Sequence, residues 1–360
     1  MAVRQANVRK SEFIVWGCGM SNLTCALLGV LLAPLWGDEP KLRRYEFEQT
    51  HMGQPIKITL YAPDERTANL AAEAAYGRVG RLDATLSDYR PDSELSQLSA
   101  TAGSGRAVPL SPDLWAVLAR SQKLAEQSDG AFDVTVGPYV RLWRRARRNK
   151  EFPSDERLEE ARRAVGYRKL KLDDSERSAV LTAPGMRLDL GGIAAGYAVD
   201  EAMAELRRHG VTRALIDASG DMLVSDPPPG ETGWKIGIAP LDATAPPSRY
   251  LGLSNAAVTT SGDAFQHVVL NGKRYSHIVD PATGLGLTDQ SSVTVIAIDC
   301  FTADSMATAV SVMGPDKGLK LVESTPRAAA YIVRNVDGQI EQLASERSNE
   351  YLSPLPPGED

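Results

Sequence analysis

The sequence predicts an α+β domain, and three observations carry that prediction. Stretches with helical apolar spacing and stretches that alternate every second residue follow one another irregularly, unlike the strict order of a doubly wound parallel sheet. Asn271-Gly272 and Asp337-Gly338 each lie between alternating runs, which marks tight hairpins and antiparallel pairing. Of 360 residues, 43% are hydrophobic and 24% charged, enough for a sizeable core. No internal repeat stands out, and the Pro/Gly-rich break from Ser225 to Gly233 reads as a loop between strands.

Tyr45 to Ala62 alternates with Ile56, Ile58 and Leu60 on one face, and Gly53 breaks it, as in a strand folded into a hairpin. Asp64 to Ser87 is Ala-rich with helical spacing. Leu110 to Gly130 is a second helix, with Ser111 as N-cap, Pro112 in the first turn and Gly130 as stop. Arg157 to Gly166 is a third. Ala179 to Gly192 suggests two strands joined at Pro184-Gly185, and Ala194 to Gly210 a helix closed by its glycine. Arg213–Asp221, Gly233–Leu241, Ala256–Asp263, Phe265–Asp280 and Ser291–Asp299 read as strands. A helix then runs from an N-cap at Thr302 to Gly314, and Ala328 to Ser345 forms a terminal hairpin.

The net charge of −6 argues against a general nucleic-acid binder. The basic run Arg141 to Lys150 reads as a solvated helix face; a membrane surface or an acidic partner is the alternative. Three cysteines make no disulfide framework, and Cys300 reads as a buried, inert thiol. The first forty residues differ from the rest. After Arg4, Arg9, Lys10 and Glu12, no charge occurs from Phe13 to Gly37. A basic start before an apolar stretch is the pattern of an export signal or a membrane anchor; a buried core helix is the ordinary alternative. Ser21 to Cys25 makes a poor lipoprotein box, and an alternative start inside this stretch is a further alternative to export. The expected organisation is an export signal or anchor over 1–40 and one domain over 41–355, placed in the periplasm or on the outer face of the inner membrane.

There is no G-x-S-x-G elbow, Walker loop or H-E-x-x-H, and four scattered histidines without paired cysteines argue against zinc. Polar residues with glycine instead collect at strand ends and helix starts, where backbone N–H groups and carboxylates reach ligands. Asp304 and Thr308 are i and i+4 on a helix, a carboxylate and hydroxyl that suit Mg²⁺; an acid near a helix start is the ordinary reading. Gly191, Gly192 and Gly196 enter a helix and allow close approach to a phosphate, or make a plain turn. Asp133 and Thr135 alternate on one expected strand face, which solvent alone would also explain. Tyr89, Asp92, Ser93 and Glu94 form a polar group or a turn that caps a helix. His277 lies on a strand face with Tyr275 and Val279; taken alone it is an ordinary structural histidine.

In this order, Ser87–Ser99, Ser128–Trp143, Leu188–Asp200, Val258–Asp263, Lys273–Gly284 and Thr302–Gly314 resemble the ApbE family of FAD:protein FMN transferases. The resemblance implies a single T-fold-type α+β domain of mixed, mainly antiparallel sheets with packed helices. It implies FAD as substrate, Mg²⁺ as cofactor, and transfer of FMN to a Ser or Thr hydroxyl of an exported target flavoprotein, with release of AMP. It assigns Asp304, Thr308 and the Gly192 carbonyl to Mg²⁺ and His277 to the role of general base. Tyr89 would pack near the flavin, with Asp92, Ser93 and Glu94 in its stretch. Asp133, Thr135, Asp189, Gly191, Ala195, Asp221, Thr260, Ser261, Gly262, Asp263, Ser276 and Gly284 would bind FAD, with Asp280 and Thr283 beside the pyrophosphate or orienting the loop. The chain departs from the family pattern in three places. Ala195 replaces the usual lysine, Ser219 the first glycine of G-G-D, and Ala264 a common aromatic. An FAD pyrophosphatase and a non-catalytic FAD-binding protein are the alternatives; the missing lysine motivates the second.

Overall fold

The computed structural model describes residues 41–353 except 239, 242–244, 248, 263–265 and 337. The N-terminal expectation therefore lies outside the described residues. The hairpin of β1 (Arg43–His51) and β2 (Gln54–Ala62) turns at Met52 and Gly53, with φ of 52° and 76°. Helix α1 (Glu65–Leu86) is capped by Asp64, which accepts from Thr67 N. After it come α2 (Glu94–Ser99), β3 (Val108–Pro109) and α3 (Pro112–Gln127), the last capped by Ser111 as expected. Then follow α4 (Gly137–Asn149), α5 (Asp155–Ala164), β4 (Leu170–Asp173) and β5 (Ser178–Leu181). The second half contributes α6 (Ala194–Arg208), β6 (Ala214–Ala218), β7 (Asp221–Val224), β8 (Trp234–Gly237) and β9 (Tyr250–Leu253). It continues with β10 (Ala256–Gly262), the hairpin β11 (His267–Leu270) and β12 (Lys273–Ser276), and β13 (Gln290–Ala297). Helices α7 (Cys300–Met313) and α8 (Pro315–Ser324) precede β14 (Ala329–Val336), β15 (Gln339–Ala344) and β16 (Leu352–Ser353).

The largest sheet has eight strands in the order β1-β2-β6-β7-β10-β13-β14-β15. Its neighbours all pair antiparallel. Ile56, Ile58 and Leu60 of β2, Ile216 of β6 and Val293 and Val295 of β13 share the main core with α1, α6 and α7. Each such side chain contributes about 1.5–3 kcal/mol by leaving water. Two smaller clusters complete the domain. One lies between the sheet and the β8–β9 pair, and the other packs Tyr139 and Trp143 of α4 on the β11–β12 hairpin.

Four local expectations are corrected. Met186 to Gly192 forms no strand; Arg187 makes only an isolated parallel bridge with Val136. Asp133 and Thr135 lie on a turn, because Asp133 Oδ1 accepts from both Thr135 N and its hydroxyl at 2.7 Å. Helix α7 starts earlier than expected: Asp299 caps it by accepting from Thr302 N at 2.7 Å. Strand β12 ends at Ser276, so His277 sits in a bend, and Val279 makes an isolated bridge with Gly286. Helix α8 gave no signal because Gly318 interrupts it. A Cβ there would meet Val310 Cγ1 at 2.7 Å, so the glycine lets α8 lie close on α7.

Candidate active site

The turn from Asp189 to Gly196 meets α7 with almost no clearance. A Cβ on Gly192 would stand 2.8 Å from Thr308 Oγ1, so the turn backbone and that hydroxyl are neighbours. A Cβ on Gly196 would stand 2.8 Å from Asp304 Cβ, while the Gly196 N–H donates to Asp304 Oδ2 at 3.0 Å. The sequence thus places Gly192, Asp304 and Thr308 in one spot through two helices that only glycine lets touch. Ser261, near the end of β10, adds a hydroxyl 3.4 Å from Thr308 Oγ1.

The start of α7 is fixed by carboxylates. Asp200 of α6 accepts from Cys300 N at 2.8 Å and Phe301 N at 2.9 Å, beside the Asp299 cap. Together they satisfy three of the N–H groups that a helix start leaves open. Arg120 of α3 bonds Asp299 and the Thr302 hydroxyl and lies 4.6 Å from the Phe301 ring centroid. The helix that carries Asp304 and Thr308 is therefore pinned before its first functional residue.

Electrostatics at this junction are unbalanced. Burial, with the Asp221 carboxylate adding to it, pushes the Asp304 carboxyl well above the ordinary range, although the Gly196 N–H opposes this. Burial also raises Asp221 to about 7, against a hydrogen bond with Thr259. Among the described residues no lysine or arginine forms an ion pair with Asp304 or Asp221. A buried acid with this environment ionises readily only beside a cation. No three His, Cys, Asp or Glu side chains converge as a metal centre among the described residues. What meets here is instead the Asp304 carboxylate and the Thr308 hydroxyl on successive turns of α7, with the Gly192 backbone against that hydroxyl, and hard oxygens of this kind suit a cation such as Mg²⁺.

His277 is held by Gln266. Its N–H donates to the Gln266 carbonyl at 3.0 Å, and its Nδ1 lies 3.1 Å from the same oxygen. A carbonyl only accepts, so Nδ1 is the nitrogen that donates in this contact. The loop beyond is a closed bracket. Asp280 Oδ1 accepts from Ala282 N at 2.8 Å, and its Oδ2 accepts from the Thr283 hydroxyl at 2.9 Å. Gly284, at φ 75°, lies against the Tyr139 ring, and its carbonyl accepts from Trp143 Nε1 at 2.8 Å.

A family model described as the ApbE family matches residues 52–332. The chain belongs to that family. It is 31% identical over 271 residues to the FAD:protein FMN transferase of Haemophilus influenzae, covering 73% of this chain and 78% of that protein. It is 30% identical over 347 residues to the same-named protein of Vibrio cholerae, covering 93% and 100%. The apo crystal structure of the flavinyl transferase ApbE of Pseudomonas stutzeri superposes with a TM-score of 0.76 at 29% identity, over 86% of this chain and 96% of that one.

In this ApbE-family chain the remaining expected site residues divide in two. Asp189 and Tyr89 converge through Arg144, which bonds Asp189 at 2.9 Å, pairs with Asp88, and lies 4.2 Å from the centroid of the exposed Tyr89 ring. Asp189 also accepts from Gly191 N at 2.9 Å; burial, then Asp88, raises its carboxyl above the ordinary range. Asp133 and Thr135 pack behind it, since Asp189 N donates to the Val134 carbonyl at 2.8 Å, and burial raises Asp133. Ala195 lies half-buried in the first turn of α6. Thr260 Oγ1 meets Thr294 Oγ1 at 2.8 Å, Gly262 continues the strand, and Asp263 lies outside the described residues.

The others serve the scaffold. Ser93 is fully buried and caps α2, donating to Ser87 O at 2.6 Å. Glu94 accepts from Ser111 N at 2.7 Å and so ties α2 to the start of α3, while Asp92 pairs with Arg90 in solvent. Ser276 is buried and accepts from Ile278 N at 3.1 Å. Sequence reasoning missed Asp88, Arg144, Asp200 and Asp299. Only Asp299 left a readable signal, an Asp three residues before Thr302 at a helix start.

Proposed function

We propose that this chain transfers the FMN half of FAD to a Ser or Thr hydroxyl of a target flavoprotein and releases AMP. The observation that carries it is the meeting of Gly192, Asp304 and Thr308 around a buried carboxylate without a cation of its own. The names of the relatives support the reaction class. These three residues would hold Mg²⁺, which supplies positive charge to the pyrophosphate and to Asp304. The acceptor oxygen forms a bond to the FMN phosphorus, and the bond from that phosphorus to the bridging oxygen breaks. AMP leaves with the electron pair, and the hydroxyl proton passes to His277 Nε2. Nδ1 faces the Gln266 carbonyl, so Nε2 is the nitrogen assigned to this role. Tyr89, supported by Arg144, would offer an aromatic face to the flavin; Asp133, Asp189 and Thr260 to Gly262 would border the dinucleotide.

The proposed targets are exported flavoproteins, reached through export or membrane anchoring by residues 1–40. To test the reaction, the protein is incubated with FAD, MgCl2 and a flavin-acceptor domain, and the acceptor is read by in-gel flavin fluorescence. Covalent flavin that vanishes with EDTA supports the proposal. AMP release that proceeds at the same rate without acceptor, with no labelled product, would make the chain a pyrophosphatase instead.

A further inference from the structure

A cleft of about 1640 Å³ opens between α4, α5 and the segment Pro184–Leu188, with Asp88 and Tyr89 also in its lining. The exposed arginines Arg141, Arg145, Arg148, Arg157, Arg163 and Arg187 line it, and none has an ion-pair partner among the described residues. Arg141, Arg145 and Arg148 recur at i, i+4 and i+7, one stripe of α4. Of the acids in the lining, Asp88 is taken by Arg144, which leaves Glu160. Partial desolvation and then the nearby Arg141 lower the Arg187 guanidinium from its usual range, and Asp88 opposes them. This concentration occurs in a chain of net charge −6. The dipoles at the ends of α4 and α5 account for the last-turn arginines alone, not for Arg141 or Arg187.

We propose that this cleft docks an acidic segment of the protein that accepts the flavin. The inference rests on the transferase reading above. Guanidinium forks take carboxylates in paired hydrogen bonds, and a row of them on two facing helices suits an extended chain with repeated carboxylates. A concave cleft admits such a segment, whereas a bilayer presents a broad flat surface. The cleft also leads toward the reaction site. Asp88 and Tyr89 line it, Arg144 joins Asp88 to Asp189, and Asp189 holds Gly191 beside Gly192. A segment seated on the arginines would therefore carry its hydroxyl toward the pyrophosphate. The dinucleotide has two phosphates, too few to occupy the whole row.

The test uses the full chain and the triple variant Arg141→Glu, Arg145→Glu, Arg148→Glu, at exposed positions outside the metal and base set. Fluorescein-labelled poly-L-glutamate should bind the parent chain by anisotropy, more weakly as salt rises. In the variant that binding should fall at least roughly tenfold, and KM for the acceptor should rise by a similar factor with kcat little changed. FAD affinity, read by flavin fluorescence, should stay the same. Weaker FAD binding in the variant would overturn the proposal and give the arginines to the nucleotide. Failure of the parent chain to bind poly-L-glutamate, with loss of sedimentation on phosphatidylglycerol vesicles in the variant, would overturn it in favour of a membrane. If the parent chain binds poly-L-glutamate but labels no acceptor, the transferase reading fails while the cleft's preference for acidic chains stands.

Discussion

The α6–α7 junction and the α4–α5 face are both out of charge balance, in opposite senses. At the junction, Asp304 is buried and Asp221 half-buried, and neither has a cationic partner among the described residues. On the α4–α5 face, exposed arginines stand in water with no ion-pair partner among the described residues. Solvent screens the second imbalance, so it costs little and persists on the surface. The first is only weakly screened, so burial favours the neutral acids, and a positive group that entered would favour their ionised forms. The difference teaches what each region can hold. A cramped oxygen site admits one small ion, and a wide cationic cleft admits a chain.

The largest expected effect comes from breaking the junction. Asp304→Asn should abolish magnesium-dependent flavin transfer, a loss of several kcal/mol of transition-state stabilisation. Each 1.36 kcal/mol is tenfold in rate, so about a thousandfold or more is expected. Differential scanning calorimetry should show that Mg²⁺ raises Tm of the parent chain but not of the variant; saturation at about a hundred times Kd would add about 2.7 kcal/mol. An unchanged Mg²⁺ response would remove Asp304 from the metal set. His277→Ala should cost roughly a thousandfold in kcat, within the span that general bases supply. Its Mg²⁺-induced rise in Tm should persist, because His277 is held on the Gln266 carbonyl and is assigned to the base rather than to the metal set. Turnover at the parent rate in this variant would rule out His277 as the base.

The same contrast explains what the sequence could and could not disclose. Hairpins at Met52-Gly53 and Asn271-Gly272 are encoded by local turn chemistry, and both formed where expected. The Asp304–Thr308 spacing is likewise local, one turn of one helix. Asp200 is different. It supports α7 from a distant helix, and nothing near it in sequence indicates the Cys300 and Phe301 amides it serves. Arg144 was hidden by its neighbours, because one basic run holds both the arginine that grips Asp189 and those that line the cleft. Short alternation at Asp133 and Thr135 looked like a strand because a side chain folded onto its own backbone leaves the same pattern. Ser93 and Glu94 fit a capped turn, and only the Ser111 contact shows which helix start Glu94 serves.

A smaller effect tests how tightly α6 and α7 must meet. Gly196→Ala adds one methyl where Asp304 Cβ stands 2.8 Å away, and overpacking of this kind costs about 1–3 kcal/mol. Tm should fall, and Mg²⁺ should restore less of it than in the parent chain, since the helices that hold the oxygens are forced apart. A drop in Tm with an undiminished Mg²⁺ response would show that the close approach serves packing alone.

The smallest expected effect is a pH dependence that the arginine face should not share. Asp200 and Asp221 are each raised to about 7 in the folded chain, chiefly by burial, above an unfolded value near 3.8. A group raised on folding binds its proton more tightly in the native state, so its stability contribution is complete below the unfolded pKa. As pH climbs from about 4 to about 7, the unfolded chain releases these protons first, and the metal-free protein should lose stability across that window. Magnesium favours the ionised acids and acts against the loss, so the Tm increment it gives should grow as pH rises from 5 to about 7. Replacing Arg141, Arg145 and Arg148 by glutamine should leave the pH slope unchanged, because guanidinium groups stay protonated throughout and glutamine does not titrate. A Mg²⁺ increment that is flat with pH would mean that the buried carboxylates are not coupled to the metal, and the contrast between the two regions would then rest on the cleft alone.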